Sequence, residues 1–336
     1  MNDHPTSNPA RRRLVLAGAA ALTLPGISRA APAPAAPAPP ANWPTRPIHL
    51  LVGFPGGSTP DMAARVLADA LAAAYGQPVV VDNRPGASGN IAADLVAQSR
   101  DDHQLGVVIN GNLTVARMLN PRLPFDPAHD FAPLSLLATA PLLLVAPAGA
   151  PTGAAFLDSA RHAKSQWNYG SVGIGSVGHL GMELLAARAG FRAVHIPYNG
   201  NPAVVTALIS GQIQAALMPP GVALPQVRAG KLTAIGLTGG HSTLAPEVPP
   251  LSDFGPRLDE LEVWVALVGP ARLSAAAQTR LAHDLPALLR EPVPRQRLFN
   301  AGWQLQGSSP EALRLRIAQE TRVLGAIIRA QHIQAS

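Results

Sequence analysis

From residue 43 onward, short continuous apolar runs alternate with stretches whose apolar residues recur at helical spacing. The runs fall at residues 48–54, 79–81, 105–109, 142–146, 168–172, 194–197, 215–218, 233–237 and 263–268. Each has the length of a buried strand. Helix-compatible stretches lie between them, at 62–75, 89–99, 114–119, 154–164, 180–189, 203–210 and 222–229. This alternation predicts an α/β fold with mainly parallel sheets. The last third turns helical, at 275–289 and 310–331, around a small strand at 303–306. Ser309-Pro310-Glu311 is a strong helix start, with a serine cap before a proline at the first helical position.

Two strand-to-helix junctions in this pattern are unusually rich in small residues. The first reads I-H-L-L-V-G-F-P-G-G-S-T-P-D-M-A-A-R from Ile48, the second W-N-Y-G-S-V-G-I-G-S-V-G-H-L-G-M-E-L-L from Trp167. The first N–H groups of a helix have no intrahelical partner, and the macrodipole is positive there. Such a turn is a ready anion site, and two of them suggest a cleft that holds a carboxylate from both walls. In the first, Gly56, Gly57, Ser58 and Thr59 keep side chains small, and Asp61 is placed to cap a helix beginning at Met62. In the second, the amides of Gly175, Ser176 and Val177 are the candidate donors, with His179 just inside the helix.

Composition narrows the setting. The 336 residues suffice for roughly two domains, and 47% hydrophobic against 14% charged residues supports sizeable cores. Residues 1–30 read as an export leader: Arg11, Arg12 and Arg13, an apolar core, then Ser28-Arg29-Ala30 as a cleavage site. Twin-arginine and Sec export both fit R-R-R-L-V-L. A Pro/Ala spacer follows at residues 31–42. The chain has no cysteine, which excludes disulfides, a thiol nucleophile and a lipoprotein anchor. A free periplasmic protein is the expectation. The sequence pI of about 10.6 points towards nucleic acid, but four arginines and one aspartate of the leader supply half of the net charge of +6. The rest is scattered, with no basic stripe among stacking aromatics, so no nucleic-acid partner is expected.

Other chemistries fit poorly. Gly173, Gly175 and Gly178 match the G-x-G-x-x-G dinucleotide pattern, yet the next strand, A-V-H-I-P-Y-N-G, lacks the acidic residue that holds a ribose. No lysine follows the glycines as in a phosphate loop. Ser176 and His179 tempt a hydrolase reading, but Ile174 stands where the glycine-x-serine-x-glycine elbow needs glycine. The ten histidines show no helical metal spacing, so neither metal nor cofactor is expected. Asp126, His129 and Asp130 read as loop residues. Asn110 and Asn112 end the strand at 105–109, where strand C-termini open onto a crevice, and are candidate ligand contacts.

Together these segments resemble the substrate-binding proteins of tripartite tricarboxylate transporters, the Bug-type extracytoplasmic receptors. The resemblance spans residues 43–333 and rests on G-F-P-G-G-S-T-P-D-M-A-A-R, V-V-V-D-N-R-P-G-A-S-G-N-I-A-A-D, L-P-F-D-P-A-H-D-F-A-P-L-S-L-L, G-S-V-G-I-G-S-V-G-H-L, H-I-P-Y-N-G and L-P-Q-V-R-A-G-K-L. It implies a two-lobed Venus-flytrap fold of the type II periplasmic binding class with two crossovers. One lobe would be residues 43–142 plus 266–336, the other 143–265. It also implies a carboxylate held by Gly56 to Thr59 and by Gly175 to Val177, with His179 nearby. Phe54, Pro55 and Asp61 of the first motif and Tyr198 of H-I-P-Y-N-G join the candidate contacts on the same ground. The implied protein is a non-enzymatic, monomeric receptor that hands a small organic carboxylate to membrane permease subunits. A sensor for a signalling partner and a hydrolase using Ser176 and His179 are the alternatives. The chain departs from the family pattern at Asn199, where a base is usual, at Gln214, where an aspartate is usual, and in L-M-P-P-G at 217–221. If that segment faces the cleft, an amino-acid ligand loses its ammonium partner and purely carboxylated compounds are favoured.

Overall fold

The computed structural model of the chain describes residues 43–163, 167–259 and 261–334. The leader and spacer at 1–42, and the last residue of the helix expected at 154–164, lie outside the described residues. The chain builds one half, leaves it for a second, and returns. First come strands β1 (Ile48–Val52), β2 (Val79–Asn83), β3 (Gln104–Ile109) and β4 (Phe131–Pro141), with helices α1 (Thr59–Tyr75), α2 (Asn90–Gln98), α3 (Asn110–Thr114) and α4 (Ala116–Leu119). The second half holds β5 (Leu143–Pro147), β6 (Asn168–Ser171), β7 (Val194–Pro197), β8 (Ala215–Met218) and β9 (Leu232–Leu237). Its helices are α5 (Ala154–Arg161), α6 (Val177–Ala189), α7 (Asn201–Ile209) and α8 (Pro220–Arg228). The return supplies β10 (Glu262–Pro270), α9 (Ala275–Arg290), α10 (Pro292–Asn300), β11 (Gln304–Leu305) and α11 (Pro310–Ala330).

Two sheets result, ordered β11-β4-β10-β3-β1-β2 and β7-β6-β8-β5-β9. Parallel pairing covers β2-β1-β3 and β7-β6-β8, the segments whose apolar runs alternate with helices. The sheets are nonetheless mixed. β10 runs antiparallel to β3 and β4, and β5 antiparallel to β8 and β9. These two strands enter their sheets directly from the other half instead of through a helix, so their direction is not set by a βαβ crossover. The first sheet resumes at Glu262, four residues before the return at 266 expected from the sequence.

Alanine dominates α1, and Ala63, Ala64, Val66, Leu67 and Leu71 bury one face against the first sheet. Gly76 ends the helix in the left-handed region at φ 63°, where a glycine pays no Cβ penalty. β4 was not expected as a strand. It is buried on both faces and so shows no alternation, and Pro133 sits at a register shift against Val268, where a missing N–H is tolerated. α10 was also unexpected. Its prolines lie in the first turn, where N–H groups lack partners anyway, and only Leu298 is buried, so no apolar stripe marks it.

The two crossings between the halves are stitched by Thr238. Its N–H donates to Leu142 O and its hydroxyl to Leu261 O, while Leu142 N–H donates back to Thr238 Oγ1 at 2.8 Å. α11 straps the outside. Leu313 packs into the core beneath the first sheet, and Leu324, Ile327 and Ile328 pack with α6 into the core of the second lobe. Leu324→Ala is expected to cost about 2–5 kcal/mol, the usual range for a fully buried leucine. Chemical denaturation followed by circular dichroism measures it; a loss below about 1 kcal/mol would show that the strap carries little of the stability.

Candidate functional site

Both glycine-rich junctions sit at strand C-termini and face each other across the space between the sheets. In the first, Ser58 is the N-cap of α1, so the helix begins at Thr59 and not at Met62. Asp61 is therefore inside the first turn and not its cap. Its carboxylate accepts from Gly57 N–H at 2.9 Å, from Asn83 Nδ2 at 2.9 Å and from Arg65 at 2.9 and 3.0 Å. Burial alone would raise the Asp61 pKa, but these hydrogen bonds and the Arg65 charge together hold it below the ordinary value. Gly56 and Gly57 are exposed, and Gly57 adopts φ 78°. They shape the turn and do not line the cleft. The groups left open are the Thr59 and Asp61 N–H and the Ser58 hydroxyl, none with a partner among the described residues. Ser58 is fully buried, and a hydroxyl there needs a hydrogen-bond partner supplied from the cleft side.

The second junction is organised the same way by different residues. Ser176 caps α6: its Oγ accepts from His179 N–H and donates to Gly173 O at 2.8 Å. Ser176 N–H is spent on Gly173 O, and Gly175 N–H donates to His179 Nδ1 at 3.1 Å. Two of the three amides expected to capture an anion are thus occupied within the turn. The open donors are Val177 and Gly178, one and two places further on, which have no partner among the described residues. Gly178 also has a packing duty, since a Cβ there would lie 2.6 Å from Leu217 O.

His179 turns away from the cleft. Its ring stacks on His195 with centroids 4.0 Å apart, and His195 in turn stacks on Tyr169 and meets Ser171 Oγ at 2.7 Å. Burial, aided by the neighbouring His195, pushes the His179 pKa down to about 3, and burial takes His195 to about 4. A neutral ring whose Nδ1 already accepts from a backbone amide, beside a serine spent as a cap, is not poised to activate a nucleophile.

Between the junctions lies a cavity of about 40 Å³, walled by Phe54, Ile109, Leu142, Val172, Leu217 and Trp303. Ser58, Thr59, Asn110, Ser176, Val177 and Gly178 supply its polar rim. Of the expected contacts, Phe54, Ser58, Thr59, Asn110, Ser176 and Val177 line it. Tyr198 instead borders an adjoining groove of about 330 Å³ with Asn199, and Pro55 packs on Gly200. Asn201 and Trp303 are additions that the sequence did not single out. Asn201 Nδ2 reaches across the cleft to Thr59 Oγ1 at 2.9 Å, and Trp303 Nε1 donates to Thr59 O. Asn201 follows H-I-P-Y-N-G directly and was legible as a polar helix start; Trp303 carried no local signal. Gln214 lies at a strand end, accepting from Asn168 N–H, whereas Leu217 and Pro219 of L-M-P-P-G do face the cavity. No charged side chain lines it among the described residues. Asn110 stands at its floor, with Nδ2 donating to Glu262 O at 3.0 Å and to Glu320 Oε1 at 2.6 Å. Asn112 points elsewhere, to Ser88 O and Asn90.

The lobes meet tightly around this space. A Cβ on Gly111 would lie 2.9 Å from Gly175 O, one on Gly173 2.1 Å from Ser88 Oγ, and one on Gly221 1.8 Å from Ala301 O. At Gly111 and Gly221 backbone thus approaches backbone where only glycine fits, and at Gly173 it approaches the Ser88 side chain. The cavity is sized for a few waters at ~10–15 Å³ each, and a larger guest enters only when the lobes part.

Two lobes of mixed α/β sheet, joined by paired crossings and enclosing helix N-termini, define a solute-binding protein of the periplasmic type. The family model described as "Tripartite tricarboxylate transporter family receptor" matches residues 63–333, and the chain belongs to that family. It is 32% identical over 315 residues to a UPF0065 protein from the tcbD-tcbE intergenic region of a Pseudomonas species, covering 92% of this chain and 91% of that one. Among solved structures it superposes on an R. palustris protein with adipate (TM-score 0.83, 28% identity, 88% of this chain and 100% of that). MatC from Rhodopseudomonas palustris with bound malate is similar at TM-score 0.79 and 26% identity, over 85% of this chain and 100% of that.

The histidine stack makes stability depend on pH. Folded, the two rings stay neutral down to about pH 3 and 4, whereas in the unfolded chain they take up protons near 6.5. The unfolded chain binds more protons in that window, so stability falls as pH drops from about 6.5 towards 4, by at most about 1.4 kcal/mol per unit for each ring. Denaturation midpoints between pH 4.5 and 7 should show this slope, and His195→Gln should flatten it. An equal slope in the variant would place its origin elsewhere.

Proposed function

We propose that the protein is an exported receptor that closes its lobes on a small organic carboxylate and presents the closed form to membrane permease subunits of a tripartite transporter. The observation that carries this is the pair of facing helix starts, Ser58–Thr59 and Val177–Gly178, with unpaired donors at a buried, uncharged cavity. Neutral donors and two positive dipole ends stabilise an anion there without a buried counter-ion. Adipate and malate in two structural relatives are acids of the class that such a site accepts. The leader-like N-terminus supports a periplasmic location. Leu217 and Pro219 at the cavity, in place of charged groups, favour acids without an ammonium.

Ligand shifts the balance between open and closed forms by its greater affinity for the closed one. Thermal denaturation of residues 31–336 against a panel of acids, with amide and ester analogues, tests the assignment. An acid at 100 times its dissociation constant should add about 2.7 kcal/mol, a rise of a few degrees, and its amide nothing. Stabilisation by the amide as strong as by the acid would refute an anion site. Gly221→Ala, two residues beyond Pro219 at the cavity, should weaken the best acid about tenfold or more by holding Ala301 off. Unchanged affinity would show that binding does not need this closure.

A further inference from the structure

At the cavity floor, Asn110 is fully buried, and its Oδ1 has no hydrogen-bond partner among the described residues. The other end of the amide is tied twice, Nδ2 donating to the backbone oxygen of Glu262 and to Glu320 Oε1. Turning the amide over would set Oδ1 against a carbonyl and a carboxylate, two repulsions at once. The Glu262 carbonyl has no protonation state to change, so the orientation persists at any pH. Asn110 therefore offers an acceptor and not a donor to a cavity whose other polar groups are the N–H donors and hydroxyls of the helix starts and the Asn201 amide, whose Nδ2 is held by Thr59 Oγ1.

An anion satisfies the donors and leaves the acceptor bare. A guest filling so small a space displaces the water that would otherwise serve Oδ1, and it must return that hydrogen bond or lose affinity. Resting on the carboxylate assignment above, we infer that the cleft selects a hydroxy acid, with a hydroxyl close to the bound carboxylate, and that Asn110 is the residue that reads it. A neutral donor suits the surroundings better than an ammonium. Glu320, the acid behind Asn110, already accepts from Trp264 Nε1 at 2.5 Å and pairs with Arg316 at 3.0 Å, and burial still raises its pKa, so it offers an ammonium little free charge. The remaining lining residues bring no carboxylate.

Matched triplets isolate the one substituent: lactate, propionate and alanine; malate, succinate and aspartate; 2-hydroxyglutarate, glutarate and glutamate. Titration calorimetry on the full mature chain should find, in the best-fitting triplet, the hydroxy acid about tenfold or more tighter than its deoxy partner, with the amino acid no better than the deoxy acid. Asn110→Leu should collapse that ratio towards one, while Ser58→Ala weakens both members alike and keeps the ratio. Equal binding of hydroxy and deoxy acids to the unmodified protein overturns the inference and leaves the carboxylate assignment standing. An amino acid as the tightest member, or a ratio surviving in Asn110→Leu, overturns it too. Binding by no acid in any triplet overturns the carboxylate assignment and this inference with it. The comparison within the unmodified protein decides the matter even if Asn110→Leu does not fold.

Discussion

The N–H groups that helix geometry leaves unpaired at the starts of α1 and α6 are the constraint around which the cleft is organised. Each helix must end its dipole somewhere, and both end at the same enclosed space. Neighbouring groups decide which donors stay open. Asp61 takes the Gly57 amide and His179 takes the Gly175 amide, which leaves Thr59, Val177 and Gly178 as the open donors at the cavity. The charges that perform this stay out of the cavity. Asp61 is balanced by Arg65, and His179 is neutral. A buried lysine or arginine would hold an anion more firmly but would be left costly and unpaired whenever the site emptied. Fixed dipoles suit a receptor that must also release what it binds.

Closing the lobes is a matter of shape as much as attraction. Gly111, Gly173 and Gly221 bring backbone against the opposite lobe at distances where a methyl group would collide. The hydrogen bond from Asn201 to Thr59 Oγ1 is a polar link across the cleft. That same bond holds Thr59, whose amide faces the cavity, so the contact that closes the lobes also sets a donor of the site.

Much of this was legible in the sequence because it is local. The strands at 194–197 and 215–218 fall where the apolar runs put them, and both helix starts follow the glycine-rich junctions. What escaped was set by partners distant in the chain. Gly56 and Gly57 read as amides for a ligand, yet the Asp61 side chain bends the turn so that Ser58 and Thr59 face inward. His179 read as a ligand contact, but its ring is claimed by His195, which the pairing of Tyr169 with His195 across β6 and β7 brings beside it. Trp303 comes from the returning C-terminal segment, and nothing near it in sequence announces a cavity wall. Asn110, placed at a strand end, was legible as a contact; that it offers an acceptor follows only from Glu262 and Glu320, more than 150 residues away.

Those two partners tie the floor of the site to the joint between the lobes. Glu262 opens β10 directly after the second crossing, which Thr238 clasps to the first through Leu142 and Leu261. Glu320 lies midway along α11, whose two ends are anchored in different cores. Arg316 binds both acids, and Trp264 of β10 donates to Glu320, so strand, strap and floor form one hydrogen-bonded unit. Hydrogen bonds in such a chain polarise one another. A donor arriving at Asn110 Oδ1 therefore strengthens the grip of Nδ2 on Glu262 and Glu320, beside the crossings between the lobes. The residue that reads the ligand is thus fastened to the parts that must stay fixed relative to each other when the lobes are shut.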